Sequence, residues 1–317
     1  MKRHSLAPSP ETVHWGYFDA ALKPVLEIDP GDVVTVGSVS GAPGETPEAG
    51  AGLTVRPALT AIHAAVSREI GPHILTGPIA VRGAEPGDAL RIDILDVALA
   101  DDWGFNVIKP DLGALPAMFP YARLIHLPID RDARRVHTPW GIDIPARPFF
   151  GVMGAAPAAA AGRITSVEPG AFGGNIDNKE LVAGAVLMVP VAVAGGLLSV
   201  GDGHAAQGDG EVCLTAVETG LTGTLRIGLV KGAHLDAPFA ETPSHLIAMA
   251  FDEDLNLAAE VALARMIGLI ERQTRLSAED AYRLCSLAGD LRITQVVNRK
   301  KGVHVMMPLA LLSSVRR

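Results

Sequence analysis

A chain of 317 residues, 48% of them hydrophobic, is long enough to bury a large core, as one big domain or two closely packed ones. A formal charge of -8, with no basic stripe interleaved with aromatics, argues against a nucleic-acid partner. Two cysteines, Cys213 and Cys285, form neither a CxxC pair nor a disulfide framework, which fits a reducing cytoplasm.

The N-terminal stretch MKRHSLAPSPETVHWG is basic at its start but lacks the apolar run of a signal peptide. Up to about Lys231, strands and turns dominate. Pro30-Gly31-Asp32 leads into Val33–Val36, and Pro86-Gly87-Asp88 leads into the alternating segment Ala89–Leu95. In each, proline presets the first turn position and glycine supplies the positive φ that a type II turn needs next. The recurrence predicts that related β-hairpins are used twice. The longest apolar stretch, Leu181–Val200, is interrupted by Gly184, Pro190, Gly195 and Gly196, so it reads as buried strands and not a membrane span. Glu211–Glu218, with Val212–Val217 as an apolar strand, and Thr222–Val230 read as a hairpin around Gly220.

After about Ala240 the pattern changes. Asn256–Arg275 carries Leu257, Val261, Leu263, Ile267 and Ile270 at helical spacing. Ser277 with Asp280 is a capping signal for a second helix, Ala278–Leu287, which Gly289 ends. Leu291–Val297 and Val303–Leu309 return to strand. The expected fold is mainly β with a smaller α+β portion. A β-sandwich or barrel-like catalytic body (residues 1–238) would carry a C-terminal helix–helix–strand–strand unit (239–317). The apolar helix Leu257–Ile270 and the low charge fraction are compatible with a homo-oligomer, a dimer or larger, and equally with a helix buried within one chain.

The chemistry concentrates in Gly201–Glu211, which reads GDGHAAQGDGE. Gly201-Asp202-Gly203-His204 and Gly208-Asp209-Gly210-Glu211 echo one another. Glycine lets the backbone approach a bound group closely. Asp202 with His204, and Asp209 with Glu211, are two residues apart and project to one face of an extended chain. Carboxylates mixed with imidazole form the usual shell of a zinc or related hydrolytic centre. A bare Gly-Asp-Gly tetrad between strands is most often only a turn. A second polar island, Gly173–Leu181, places Asn175 and Asp177 on one face just before a buried strand, and the two loops are expected to converge on one metal.

GGNIDNKEL followed by LxxPVxxxGGLLSVGDGHAAQGDGEVC resembles the acetamidase/formamidase family of amide hydrolases. Gly71–Ile79, Gly83–Gly87, Phe150–Pro157 and Gly289–Val297 extend the resemblance over nearly the whole chain. It implies a mainly β fold with a small α+β portion, and hydrolysis of short amides to carboxylate and ammonia. It also implies bound zinc or calcium in at least some members. Some relatives are linked to bicyclic γ-lactams. The segment Gly113–Arg147 follows the family pattern least clearly and is a candidate wall of the substrate pocket.

From chemistry alone, Asp177, Asp202 and His204 are the expected metal ligands, zinc first, with calcium as a second or structural ion. Glu211 or Asp209 is the expected general base. Gln207 and Asn175 are expected to hydrogen-bond the amide. His73 and Trp103 complete the expected substrate-binding set. The expected substrate is a small carboxamide such as formamide or acetamide, and no membrane partner is expected. A cysteine nucleophile is the rival chemistry, since Cys213 lies close by; an apolar strand would bury that thiol and leave it inert. No Gly-x-Ser-x-Gly elbow is present. Hydrolysis of a cyclic, γ-lactam-like amide is one alternative reading. A calcium-stabilised β protein that binds a small ligand without catalysis is another, and His204 argues against a pure calcium site.

Overall fold

A computed structural model of the chain describes residues 1–316. Two sheets stack face to face as a β-sandwich. The larger has nine strands, in the order Arg3–Leu6, Asp32–Gly37, Leu221–Val230, Ala89–Leu99, Val186–Pro190, Phe239–Glu241, His245–Asp252, Lys301–Pro308 and Asp290–Gln295. The smaller runs Gly173–Asn175, Phe149–Gly154, Leu198–His204, Ile74–Val81 and Val13–Trp15, with Leu26–Ile28 also paired to Ile74–Val81. Ile92, Ile94, Leu225 and Ile227 from the first sheet meet Ile79, Phe150, Leu198 and Val200 from the second in one buried core. A four-stranded sheet, Trp103–Ile108 to Asp143–Pro145, forms a separate flap that contains most of the Gly113–Arg147 segment.

Both Pro-Gly-Asp turns form as the sequence predicts. Gly31 and Gly87 have φ of 90° and 95°. Asp32 N donates to Asp29 O (3.1 Å) and Asp88 N to Glu85 O (3.0 Å). The flanking strands are not hairpins, however. Each turn carries the chain from the smaller sheet to the larger: Leu26–Ile28 to Asp32–Gly37, and Ile74–Val81 to Ala89–Leu99. The two strands so delivered flank Leu221–Val230 on its two sides. Val186–Pro190 and Leu198–His204 likewise lie in different sheets, with Gly195-Gly196 at the crossing.

The C-terminal strands extend the nine-stranded sheet. Alternation along His245–Asp252 divides its two faces: Ile247 and Met249 enter the sandwich core, while Leu246, Ala248 and Ala250 meet the helices. Helix Leu255–Gln273 buries Ala258, Ala262, Met266 and Ile270 there, with Val261, Leu263 and Ile267 partly buried and Leu257 exposed. Asp254 caps its start through Asn256 N. Ser277 Oγ accepts from Asp280 N at the head of Ala278–Ala288. No described helix is long and apolar enough to cross a membrane. A further helix, Pro57–Ala65, falls in the region read as strands and turns; its signals are proline in the first turn and the buried pair Leu59 and Ile62.

Candidate active site

The site grows from the centre of the smaller sheet. Leu198–His204 lies between Phe149–Gly154 and Ile74–Val81 and is buried along its whole length. Asp202 and His204, two apart, converge on one place as predicted. The neighbouring strand yields space there by carrying glycine at position 151. A Cβ on Gly151 would lie 2.7 Å from Asp202 Oδ2 and 2.8 Å from His204 Cε1, and closer still to Asp177 Oδ1. The Gly173–Asn175 strand pairs on the far side of Phe149–Gly154 and delivers Asp177, so the two glycine-rich segments do converge.

His204 Nε2 lies 3.3 Å from Asp202 Oδ2, 3.3 Å from Glu218 Oε1 and 3.9 Å from Asp177 Oδ1, with no hydrogen bond to any of them. Two overlapping triads that could hold a metal ion result: Asp177, His204 and Glu211, and Asp202, His204 and Glu218. Within each triad the candidate ligand atoms lie within 4.8 Å of one another. Asp177, Asp202 and Glu211 all hold left-handed backbone, with φ of 50°, 56° and 48°. Such conformations cost on the order of 1 kcal/mol each and cluster at functional sites.

Gln207 sets the imidazole. Its Nε2 donates to Asp177 O (2.8 Å), which turns its Oε1 toward His204 Nδ1 (2.9 Å). Nδ1 therefore carries a proton, and Nε2 is the ring nitrogen that faces the carboxylates. In this structure Gln207 holds the His204 imidazole. Asn298 Nδ2 donates to Asp177 Oδ2. Asn298 is itself placed by Gln295 Oε1, which accepts from the backbone N–H of Val297 and Asn298. His73 Nδ1 meets Ser166 at 3.0 Å, leaving Nε2 3.6 Å from Asp202 Oδ2. The Phe149 ring stands edge-on to His204 with centroids 5.0 Å apart.

Concentrated carboxylates shift one another's protonation. Burial pushes Glu218 up to about 8 and Asp177 up to about 6. Burial, with the Asp177 charge adding to it, drives Glu211 well above the carboxylate range. Burial opposes the charge on Asp202 too, but the imidazoles of His73 and His204 hold it below its usual range. His204 is raised well above an ordinary imidazole: burial disfavours its cation, and Glu218 and Asp202 outweigh that. The cluster thus holds protons where a cation would serve as well. Asp177 Oδ1, His204 Nε2 and Glu211 Oε2 are buried atoms with no hydrogen-bond partner, and their residues form one triad. These donors fit a divalent cation.

A cavity of about 270 Å³ opens above the cluster. His73, Asn175, Asp177, Asp202, Glu211 and Glu218 line it. Asn175 Nδ2 donates to Val167 O, and its buried Oδ1 has no partner. A second cavity of about 500 Å³ shares Glu211 and Thr215 and is walled by the flap, through Ile125, Leu127, Trp140 and Ile144.

Two predicted residues lie elsewhere. Asp209 points away from the cluster into ion pairs with Arg292 (2.6 Å) and Lys179 (3.1 Å), which occupy its carboxylate. Trp103 is 2% exposed in an aromatic core with Trp15 and Phe105, its indole N–H given to Thr54 O. Phe105, two residues on, lines the cavity instead. Val212–Val217 is an irregular loop and not a strand. It leaves Cys213 half-buried beside Asn106, and both cysteines are free. Glu218 and Asn298 are the residues the sequence reading missed. Glu218 closed the predicted Glu211–Glu218 strand, and Asn298 directly follows the motif Gly289–Val297.

The chain is similar over nearly its whole length to one family of known proteins. The model of the Acetamidase/Formamidase family matches residues 20–163 and 158–313. A formamidase of Methylophilus methylotrophus is 34% identical over 211 residues, covering 50% of this chain and 52% of that protein. The chain spans about half the length of the curated relatives it matches. The crystal structure of an acetamidase from Bacillus halodurans superposes with a TM-score of 0.84 at 30% identity, covering 98% of this chain and 99% of that one. That of a predicted acetamidase/formamidase from Thermoanaerobacter tengcongensis gives 0.87 at 28% identity, covering 99% of both chains. With the family model matched over nearly its whole length and the same fold in its solved relatives, this chain belongs to the acetamidase/formamidase family.

Proposed function

We propose that the protein hydrolyses small linear carboxamides to carboxylate and ammonia, at a site that requires a divalent cation, zinc in preference to calcium. The carrying observation is the set of unpartnered buried donors, Asp177 Oδ1, His204 Nε2 and Glu211 Oε2. An imidazole nitrogen among carboxylates suits zinc, whereas calcium takes oxygen ligands.

Asp177, His204 and Glu211 hold the cation, and Gln207 and Asn298 position the first two of them. This moves Glu211 from base to ligand. A bound zinc ion supplies Lewis acidity toward the amide carbonyl and lowers the pKa of water. Glu218, raised to about 8 and close to His204, carries the proton. In its ionised form, which the positive charge of a bound cation would favour, it takes one proton from the attacking water and returns it to the amide nitrogen as the C–N bond breaks and ammonia leaves. Asp202 stays ionised between His73 and His204, so the pair Asp202 and Glu218 divides charge and proton between two carboxyls. Asn175 Oδ1 accepts from the substrate NH2 group, whose two N–H bonds need an acceptor once desolvated.

The test is ammonia release by zinc-loaded protein from formamide, acetamide, longer linear amides and a γ-lactam. Release from the linear amides is expected. No release from any of them, together with a fall in Tm on chelation, would replace this reading with that of a calcium-stabilised binding protein.

A further inference from the structure

The cavity above the carboxylate cluster is larger than formamide or acetamide needs. Its volume of about 270 Å³ equals that of about nine water molecules at ~30 Å³ each. Its floor is acidic, and its rim carries Arg68, Lys109 and Arg299. Two of these cations already have partners. Lys109 pairs with Glu45 at 2.9 Å, and Arg299 shares Glu168 with Lys300. Arg68 donates Nε to Gly71 O at 3.0 Å, and among the described residues it forms no ion pair. Among the described residues its two terminal nitrogens form no hydrogen bond, and the Glu45 carboxylate whose charge it favours is already held by Lys109. Phe105, Val107 and Leu214 add apolar surface to the lining.

We propose that the preferred substrate is an amide that carries its own carboxylate, a monoamide of a short dicarboxylic acid, with Arg68 as the specificity-determining residue. This rests on the amidase reading of the site. The amide group sits on the floor, where Asn175 Oδ1 accepts its N–H. A short methylene chain lies against Phe105, Val107 and Leu214. The far carboxylate meets the free fork of Arg68, whose planar pair of N–H donors matches a carboxylate. A neutral amide of the same length leaves that guanidinium in water, and an amide bearing an ammonium group is repelled by it.

The experiment compares kcat/KM for ammonia release from succinamate and glutaramate with that from butyramide and valeramide, the neutral amides of similar length. The acidic amides should be favoured by about ten- to a hundredfold, the span for a charge-assisted hydrogen bond. Arg68→Gln should collapse that ratio and Arg68→Lys should keep part of it. Equal or better turnover of the neutral amides by the unaltered protein would overturn the proposal. So would an Arg68→Gln variant that slows both classes by the same factor. Ammonia from formamide and acetamide without preference for the acidic amides would sink this inference alone. Silence from every amide would sink the hydrolase reading with it.

Discussion

Gly201–His204 and Gly208–Glu211 share a Gly-Asp-Gly frame, yet they are built into different environments. The first is the end of a central strand, with hydrogen-bonded neighbours on both sides and every residue buried. Asp202 and His204 therefore project together into the site. The second is a turn stitched to the end of another strand, with Gly210 N given to Thr294 O and Val296 N to Gly210 O. There Asp209 points outward to Arg292 and Lys179, while Glu211 points inward. The same tetrad yields two side chains aimed into the cluster in a strand, but one strap and one inward carboxylate in a turn. A short motif names the residue types; the hydrogen-bonded frame decides which way they face.

The largest effect should separate the two aspartates. Asp202→Asn removes a buried carboxylate from the reacting cluster and should lower kcat/KM for amide hydrolysis by about 10²- to 10⁴-fold. Asp209→Asn breaks only ion pairs at a partly exposed position. Such pairs contribute about 0–1 kcal/mol, so the loss should stay below about fivefold. Steady-state rates of the two variants side by side check this, and equal losses would erase the distinction between the tetrads.

The split also explains what was legible in the sequence. Alternation and burial made Asp202 and His204 readable, because both belong to one strand and period two is a local property. Asp177 was readable from the adjacent glycines. The Pro-Gly-Asp turns were visible, but not that they join sheets, because the pairing partner of a strand is a long-range property. Glu218 escaped because Val212–Val217 has the apolar composition of a strand without a strand's partners, which hid where position 218 would point. Asn298 reaches Asp177 from 121 residues away, a distance over which no spacing rule operates. Trp103 and Phe105 look equivalent in sequence and share one core, yet Phe105 also lines the cavity while the Trp103 indole turns to Thr54 O.

A smaller effect sharpens the same comparison through pH. Glu218 rises from an ordinary 4.5 to about 8 in the folded chain, because burial disfavours its charge. A carboxyl whose pKa is raised by folding contributes its stability below the unfolded value and loses it as pH rises through the folded one. Asp177, raised to about 6, acts in the same direction. Buried His14 and His304, lowered to about 4, act the other way up to about pH 6.5, so metal-free protein should lose Tm between about pH 6.5 and 8, and added zinc should flatten that slope by supplying the missing positive charge. Thermal melts across that range, with and without zinc, read the effect. A metal-free Tm that climbs through this window would contradict the protonated cluster.

The most direct test of the central claim, that the cluster around His204 holds the cation that amide hydrolysis needs, is a zinc titration of chelated protein with ammonia release followed in parallel. Activity should vanish on chelation and return as zinc is restored, and His204→Ala should neither retain the metal nor recover. Full ammonia release from chelated protein, or from His204→Ala, would contradict it.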